Sequence, residues 1–129
     1  MDFVTVRDAL ATKAKNAGDF DASGFIPDSI TTPYFAVGKQ QVDYHQTFNG
    51  LVQATFTCHL FASRADTEQG QETVLPYLDA TGIPAALEAD PTLGAVCSAL
   101  VVVSSEGPGL VEVGGIQFWA ASFNVKVWG

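Results

Sequence analysis

A chain of 129 residues has room for one compact domain, residues 1–129, and its 47% hydrophobic residues can form a core without a disulfide or a metal. Six Lys and Arg residues against fourteen Asp and Glu residues give a formal net charge of −8. This charge argues against direct binding to nucleic acid or to an anionic membrane, because proteins bind both mainly through cations.

The first half of the chain predicts one helix and then a strand. Apolar residues recur at spacings of three and four over residues 3–17, which is typical of an amphipathic helix, and Gly18 is a natural stop. Residues 19–32 are rich in Asp, Gly, Ser and Pro and predict an irregular segment. A short strand is predicted for residues 33–37, followed by a polar loop or an extended hairpin over residues 38–50.

The middle of the chain predicts a strand followed by a pair of helices. The clearest strand covers residues 51–62, where apolar and polar residues alternate with a period of two. A helix then begins at Ser63 or Asp66. Pro76 is expected to kink or split this helix, because proline lacks an amide donor and clashes with the preceding turn. A short helical turn follows over residues 84–89.

The last third of the chain predicts strands. Residues 97–105 form an apolar, β-branched run that predicts a central strand. Residues 111–113 and 116–128 predict a hairpin around Gly114-Gly115, with the odd-numbered residues 119–127 on one face. The order of helix, strands, helix pair and strands predicts an α+β fold: a mostly antiparallel β-sheet with helices packed on one face.

The cysteines and histidines show no catalytic or metal-binding spacing. Cys58 and Cys97 stand far apart in apolar runs, unlike a zinc site, so we expect two buried, reduced thiols. Cys58 and His59 are neighbours on a strand and should point to opposite faces. Asp43 and His45 stand in a loop pattern without a nucleophile. We therefore expect a protein that is not an enzyme and that binds no cofactor and no metal.

Aromatic residues exceed what one sheet with helices on a single face would cover. Phe61 stands on the polar side of its strand, and Phe118 and Trp128 stand opposite the apolar face of theirs. Such residues are typical of protein–protein contacts; the alternative is that they cover a sheet edge or stay exposed. Tyr44 and Phe48 either anchor a partner or fold back onto their own sheet. The predicted interface residues are Val42, Tyr44, Phe48, Phe61, Phe118 and Trp128.

No targeting or membrane-spanning segment is expected. Residues 1–4 lack the basic segment and the long apolar core of a signal peptide. The longest uncharged apolar-rich run, residues 93–103, is far shorter than the ~20 residues that span a bilayer. We expect a soluble protein that is made in the cytoplasm.

Several segments, taken in order, resemble the small tail terminator proteins of long-tailed phages of actinobacteria. No single segment is diagnostic, and their order and spacing over nearly the whole chain carry the resemblance. They are Arg7–Leu10, Ile26–Ile30, Pro33, Val42–Tyr44, Phe48, Gly50, Tyr77–Asp79, Thr81-Gly82, Ala86–Gly94 and the final strand with Phe123 and Val125.

The resemblance implies a structural virion protein with an α+β fold. Such proteins form a ring, of six subunits, on the head-proximal end of the tail tube, stop tube polymerisation and join the tail to the head. The implied partners are further copies of the chain, the tail tube protein and the head-completion or connector protein. DNA would pass through the channel without specific binding, which suits an acidic ring.

Two alternatives stay open. One is another neck ring of the same particle, such as a head-completion or stopper protein of similar size. The other is a stand-alone α+β domain that binds a small ligand or performs a reaction with no familiar motif. Ring formation, alone or with tube protein, separates the first class from the second.

Overall fold

The computed structural model describes residues 2–44, 52–63 and 67–129. Its elements, in chain order, are α1 (Phe3–Ala14), a 3-10 turn (Lys15–Ala17), β1 (Asp21–Ser23), β2 (Tyr34–Asp43), β3 (Gln53–Ser63), α2 (Thr67–Leu78), α3 (Ile83–Glu88), β4 (Ala99–Val113) and β5 (Ile116–Trp128). The fold is the mixed α+β fold that the sequence predicts.

The five strands form one sheet in the order β1-β2-β3-β5-β4. The short β1 runs parallel to β2, and every other pair of neighbours is antiparallel. The hairpin between β4 and β5 turns at Gly114 and Gly115, whose φ angles of 59° and 81° lie in the left-handed region that glycine adopts without strain. The predicted hairpin and the predicted mostly antiparallel sheet are confirmed.

The three α-helices cover one face of the sheet, as predicted. Val6, Leu10 and Ala14 lie on one stripe of α1 and are fully buried, and they are joined by Val74 of α2 and Leu87 of α3. The strands supply every second residue to this main core, because side chains alternate between the two faces of a sheet. The strand residues are Phe35, Val37, Ala54, Phe56, Cys58, Leu60, Ala62, Leu100, Ala121, Phe123, Val125 and Val127.

Arg7 ties α1 to the sheet through three hydrogen bonds. Its Nε donates to the carbonyl oxygen of Gly24 over 2.6 Å, and its Nη2 donates to the carbonyl oxygen of Val37 over 2.7 Å. Its Nη1 donates to Oε1 of Gln40 over 3.0 Å. The register of β2 against β3 shifts between Val37 and Gln40, so the guanidinium supplies donors where a β-bulge interrupts the ladder.

Three predicted features before β4 differ from the structure. A short strand, β1 at Asp21–Ser23, lies within residues 19–32, which were predicted to be irregular. β2 continues through the bulge to Asp43, so residues 38–43 belong to a strand and only the hairpin alternative fits them. Pro76 lies inside α2 and does not split it. The helix ends two residues later, at Leu78, so the lost hydrogen bond falls in its last turn, where Tyr77 and Leu78 still pack against the main core.

β4 is an edge strand, and the prediction of a central strand for residues 97–105 was wrong. The run extends to Val113 as one strand, with register shifts between Val102 and Ser104 and between Glu106 and Gly109. Its outer edge pairs with no other strand among the described residues. Leu100 and Val102 pack against the main core, whereas Val101 and Val103 are 46% and 53% exposed.

Candidate functional site

The candidate functional surface is the face of the sheet that the helices leave uncovered, which we call the open face. Its central part carries polar side chains, all uncharged except Glu106, in place of the apolar ones that line the other face. These side chains stand opposite one another on β3, β5 and β4, because the register pairs His59 with Ser122 and Ser122 with Glu106. The members of this polar group are Thr57, His59, Ser104, Glu106, Ser122 and Asn124.

Hydrogen bonds join one row of this group across three strands. Thr57 Oγ1 donates to Asn124 Oδ1 over 3.3 Å. The amide nitrogen of Asn124 in turn donates to Ser104 Oγ over 3.0 Å. Because each side chain is held by its neighbours, the open face presents an ordered polar surface at its centre.

The next row contains the imidazole of His59. His59 Nδ1 lies 3.1 Å from Ser122 Oγ, and the ring stands 5.7 Å from the ring of Phe61. Partial burial lowers the pKa of His59 below its ordinary value of 6.5, so the ring is neutral at pH 7. The ring fits over the bulge of β2 because Gly38 has no side chain: a Cβ there would lie 3.0 Å from His59 Nε2.

The His59–Ser122 pair does not have the arrangement of a catalytic triad. In a triad the histidine lies between the serine and an acid that orients the imidazole. Here Ser122 lies between His59 and Glu106 in the register of the sheet. The pair is therefore arranged as a cross-strand hydrogen bond, and the expectation of a non-enzymatic protein stays a prediction.

A shallow groove of about 320 Å³ opens beside this row, at the second bulge of β4. Glu106 is the one charged residue that lines it, and Ser122 adds a hydroxyl. The other lining residues are Gly107, Gly109, Val111 and Ala120. The bulge creates the groove, because glycines on either side of Pro108 leave the strand without side chains there.

One end of the open face is covered by a second, smaller core. Phe61 is fully buried and Phe118 is 7% exposed, and their ring centroids lie 5.9 Å apart in an edge-to-face arrangement. Ala36 and Ala120 complete the cluster, and Ile30 packs against it from the irregular segment before β2. The expectation that Phe61 and Phe118 are exposed interface residues was wrong, because this segment crosses the open face and covers both.

Three of the remaining predicted interface residues, Val42, Tyr44 and Trp128, lie at the opposite end of the sheet. Tyr44 follows β2 and is 65% exposed. Trp128 is half-buried at the end of β5, in the same row as Asp43, where Asp43 pairs with Gln53 and Gln53 with Trp128. Val42 is half-buried against the main core, on the helix side. Phe48 lies outside the described residues, so the structure brings only Tyr44 and Trp128 towards one surface.

Other exposed apolar residues lie outside the predicted interface set, although Ile116, like Phe118 and Trp128, stands opposite the apolar face of its strand in the sequence pattern. Phe25, just after β1, is 63% exposed, whereas Leu110 on β4 is 46% exposed and Ile116 at the start of β5 is 61% exposed. Phe25 lies at one edge of the sheet, and Leu110 lies with Val101 and Val103 on the strand at the other edge, whereas Ile116 lies at the hairpin end of β5. Composition could not reveal their exposure, because it depends on which segments cover one another in the fold.

Both cysteines are buried and free in the structure, as predicted. Burial raises the pKa of the Cys58 thiol from 9.0 to about 12. Burial also raises the pKa of Cys97, and the charge of Asp90 adds to the effect. Thiolate is the reactive form, so both thiols are held in their unreactive form at neutral pH.

We expect iodoacetamide at pH 8 to label neither thiol in the folded protein and both in denaturant. Dithiothreitol and a chelator should leave the melting temperature unchanged. The pKa of Cys58 is raised in the folded protein. The stability that comes from burying its protonated thiol is therefore present below pH 9 and should be lost as the pH rises towards 12. Mass spectrometry of the labelled protein measures the first effect, and rapid labelling of folded Cys58 would contradict the buried position.

Comparisons with known proteins do not assign the chain to a family. A scan against protein-family models finds no match, and a search of curated proteins finds no match either. Within the described residues, no group of three or more His, Cys, Asp and Glu side chains could hold a metal ion. The same residues contain no helix with the length and hydrophobicity needed to cross a membrane.

Proposed function

We propose that the chain is a ring-forming structural subunit of a phage particle, a tail terminator that caps the head-proximal end of the tail tube. The proposal rests on the ordered resemblance to tail terminator proteins. The structural observation that supports it best is the presence of exposed apolar residues at opposite edges of one sheet.

A head-to-tail ring needs two different surfaces on each subunit. Phe25 follows β1 at one edge of the sheet, and Val101, Val103 and Leu110 lie on β4 at the other edge. Surfaces on opposite sides of a subunit form heterologous contacts, and these close into a ring when the rotation per subunit allows it. A single self-complementary patch would favour a two-fold dimer instead.

The charge of the chain suits a channel through which DNA passes. A net charge of −8 gives few cations to bind phosphates. Of the six Lys and Arg residues, Arg7 is engaged by Gly24 and by the bulge of β2, and Lys13 lies 3.8 Å from the carboxylate of Asp90. An acidic ring would not retain DNA through counterion release, whereas a basic ring would.

The test is native mass determination with and without tail tube protein, together with electron microscopy of tube ends. We expect closed rings, of six subunits, at least in the presence of tubes, and tubes that stop growing once a ring is bound. A chain that stays monomeric at high concentration and also ignores tube ends would contradict the proposal. Binding to the portal side without tube capping would favour the stopper alternative.

A variant pair locates the contact. Tyr44→Ala should weaken tube capping or ring closure while leaving the melting temperature unchanged, because this exposed side chain adds nothing to the subunit core and anchors can be worth ~2 kcal/mol in an interface. Leu75→Ala is the matched control, since Leu75 is 49% exposed on α2, on the helix side of the sheet. If Tyr44→Ala capped tubes as well as Leu75→Ala does, Tyr44 would not belong to the contact.

A further inference from the structure

The outer edge of β4 is closed at one point by a side chain. The backbone N–H of Val102 donates to Glu88 Oε1 over 2.9 Å. Val102 stands opposite Val125 in the register with β5, yet its N–H turns away from β5 to the last residue of α3. The N–H and the C=O of a strand residue point to the same side, so both face outwards from the sheet edge at Val102.

The strand around this point is suited to pairing with another strand. Residues 100–104 are uncharged, three of the five are valine, and Val101 and Val103 on either side of Val102 are about half exposed. An uncharged, β-branched edge with free backbone groups is a template for strand addition, and natural proteins protect such edges with charges, prolines and bulges. The later part of β4 has such protection in Glu106, Pro108 and Glu112. Residues 100–104 are protected by the bulge at Val103 and by the hydrogen bond from the Val102 N–H to Glu88.

We propose that Glu88 guards this edge against strand addition by a second copy of the chain. When the carboxylate leaves Val102, two copies can pair their β4 strands antiparallel about a two-fold axis at Val102. Each Val102 N–H then donates to the other copy's Val102 carbonyl, Val101 meets Val103, and Leu100 meets Ser104. The inference concerns the same edge that the proposed ring uses but a different geometry: the ring joins β4 to the opposite edge of the next subunit, whereas this pairing joins two β4 strands about a two-fold axis.

A second copy fits this edge better than a charged partner strand does. The five-residue strip is centred on Val102, so two identical strips align without an offset. No charge lies within the strip, so two acidic chains can meet there without apposing carboxylates from their strands. A pairing centred further along β4, from Ser104 to Leu110, would bring Glu106 or Pro108 into the shared ladder, where proline lacks a donor.

The test compares Glu88→Ala with Glu88→Gln by sedimentation over a range of protein concentrations. Glu88→Ala exposes the Val102 N–H, and its mass should rise to twice that of the wild type at the same concentration. Glu88→Gln keeps an oxygen acceptor at the same reach and should sediment as the wild type does. An unchanged mass for Glu88→Ala overturns the proposal, and a doubled mass for Glu88→Gln overturns capping as the mechanism.

A second variant shows whether β4 is the surface that pairs. Adding Val103→Lys to Glu88→Ala places a charge on the edge and should restore the wild-type mass. Association that persists in the double variant overturns the assignment to this edge.

Hydrogen exchange on the wild-type protein tests the same hydrogen bond without any variant. The Val102 amide should exchange its hydrogen more slowly than the amide of Gly115 in the exposed turn. Equal exchange rates would show that Glu88 does not protect the Val102 N–H and would overturn the proposal.

Discussion

Replacing Phe61 by Ala is expected to lower the free energy of unfolding by about 3–5 kcal/mol, the usual cost of truncating a buried aromatic side chain. Phe61 is fully buried in the second core and packs edge-to-face on Phe118. The truncation leaves a cavity under the irregular segment that carries Ile30, which packs on the same cluster. Chemical denaturation followed by circular dichroism measures the change.

Tyr44→Ala is the matched control, because it also truncates an aromatic residue but at a position that is 65% exposed. We expect it to change the free energy of unfolding by no more than about 0.5 kcal/mol, as is usual for surface substitutions. If Phe61→Ala unfolded like the wild type while ring formation failed, Phe61 would be an interface residue and the second core would not exist as described.

The strands could be predicted where one face of the sheet is buried by the subunit itself. β3 alternates between buried and half-buried residues from Gln53 to Leu60, and β5 alternates in the same way from Phe123 to Val127, so both show the period of two in the sequence. The hairpin turn was predictable as well, because two consecutive glycines match the positive φ angles that a tight hairpin requires. These signals are local, and the fold obeys them.

The order of the strands could not be predicted from the same signals. Residues 97–105 are as apolar as a central strand, but β5 occupies the position between β3 and β4. Whether a strand lies at the edge or in the centre of a sheet is decided by pairing between residues that are distant in the sequence. The hydrophobicity of the strand alone does not distinguish the two positions. The unpaired backbone edge of β4, where the N–H of Val102 donates to Glu88, follows from this non-local choice.

The misplaced interface residues have a similar cause. Phe61 and Phe118 stand on the predicted face, opposite the helices. Their burial depends on residues 24–33, an irregular segment with no periodicity to show where it runs. It reaches the far hairpin, since a Cβ on Gly114 would lie 2.7 Å from the carbonyl oxygen of Asp28. A segment without a regular pattern can thus cover a face that the strand pattern alone predicts to be open.

Arg7→Ala is expected to lower the free energy of unfolding by about 2–4 kcal/mol, although it removes no apolar core residue. The guanidinium donates to the carbonyl oxygens of Gly24 and Val37 and to the side chain of Gln40. These bonds are partly buried, and a buried acceptor that loses its donor costs ~1–3 kcal/mol. Arg7→Lys should lose most of the same stability, because one ammonium group cannot replace the planar guanidinium at three separate acceptors.

Lys13→Ala is the matched control for Arg7→Ala, because it removes the same charge from the same helix. Among the described residues, Lys13 makes one ion pair, with Asp90 at 3.8 Å, and both side chains are about one-third exposed, so its loss should leave the free energy of unfolding nearly unchanged. Thermal and urea unfolding of the two variants side by side separate hydrogen bonding from net charge. If the two variants unfolded alike, the guanidinium would not hold the bulge of β2 to α1, and that bulge would owe its shape to the strands alone.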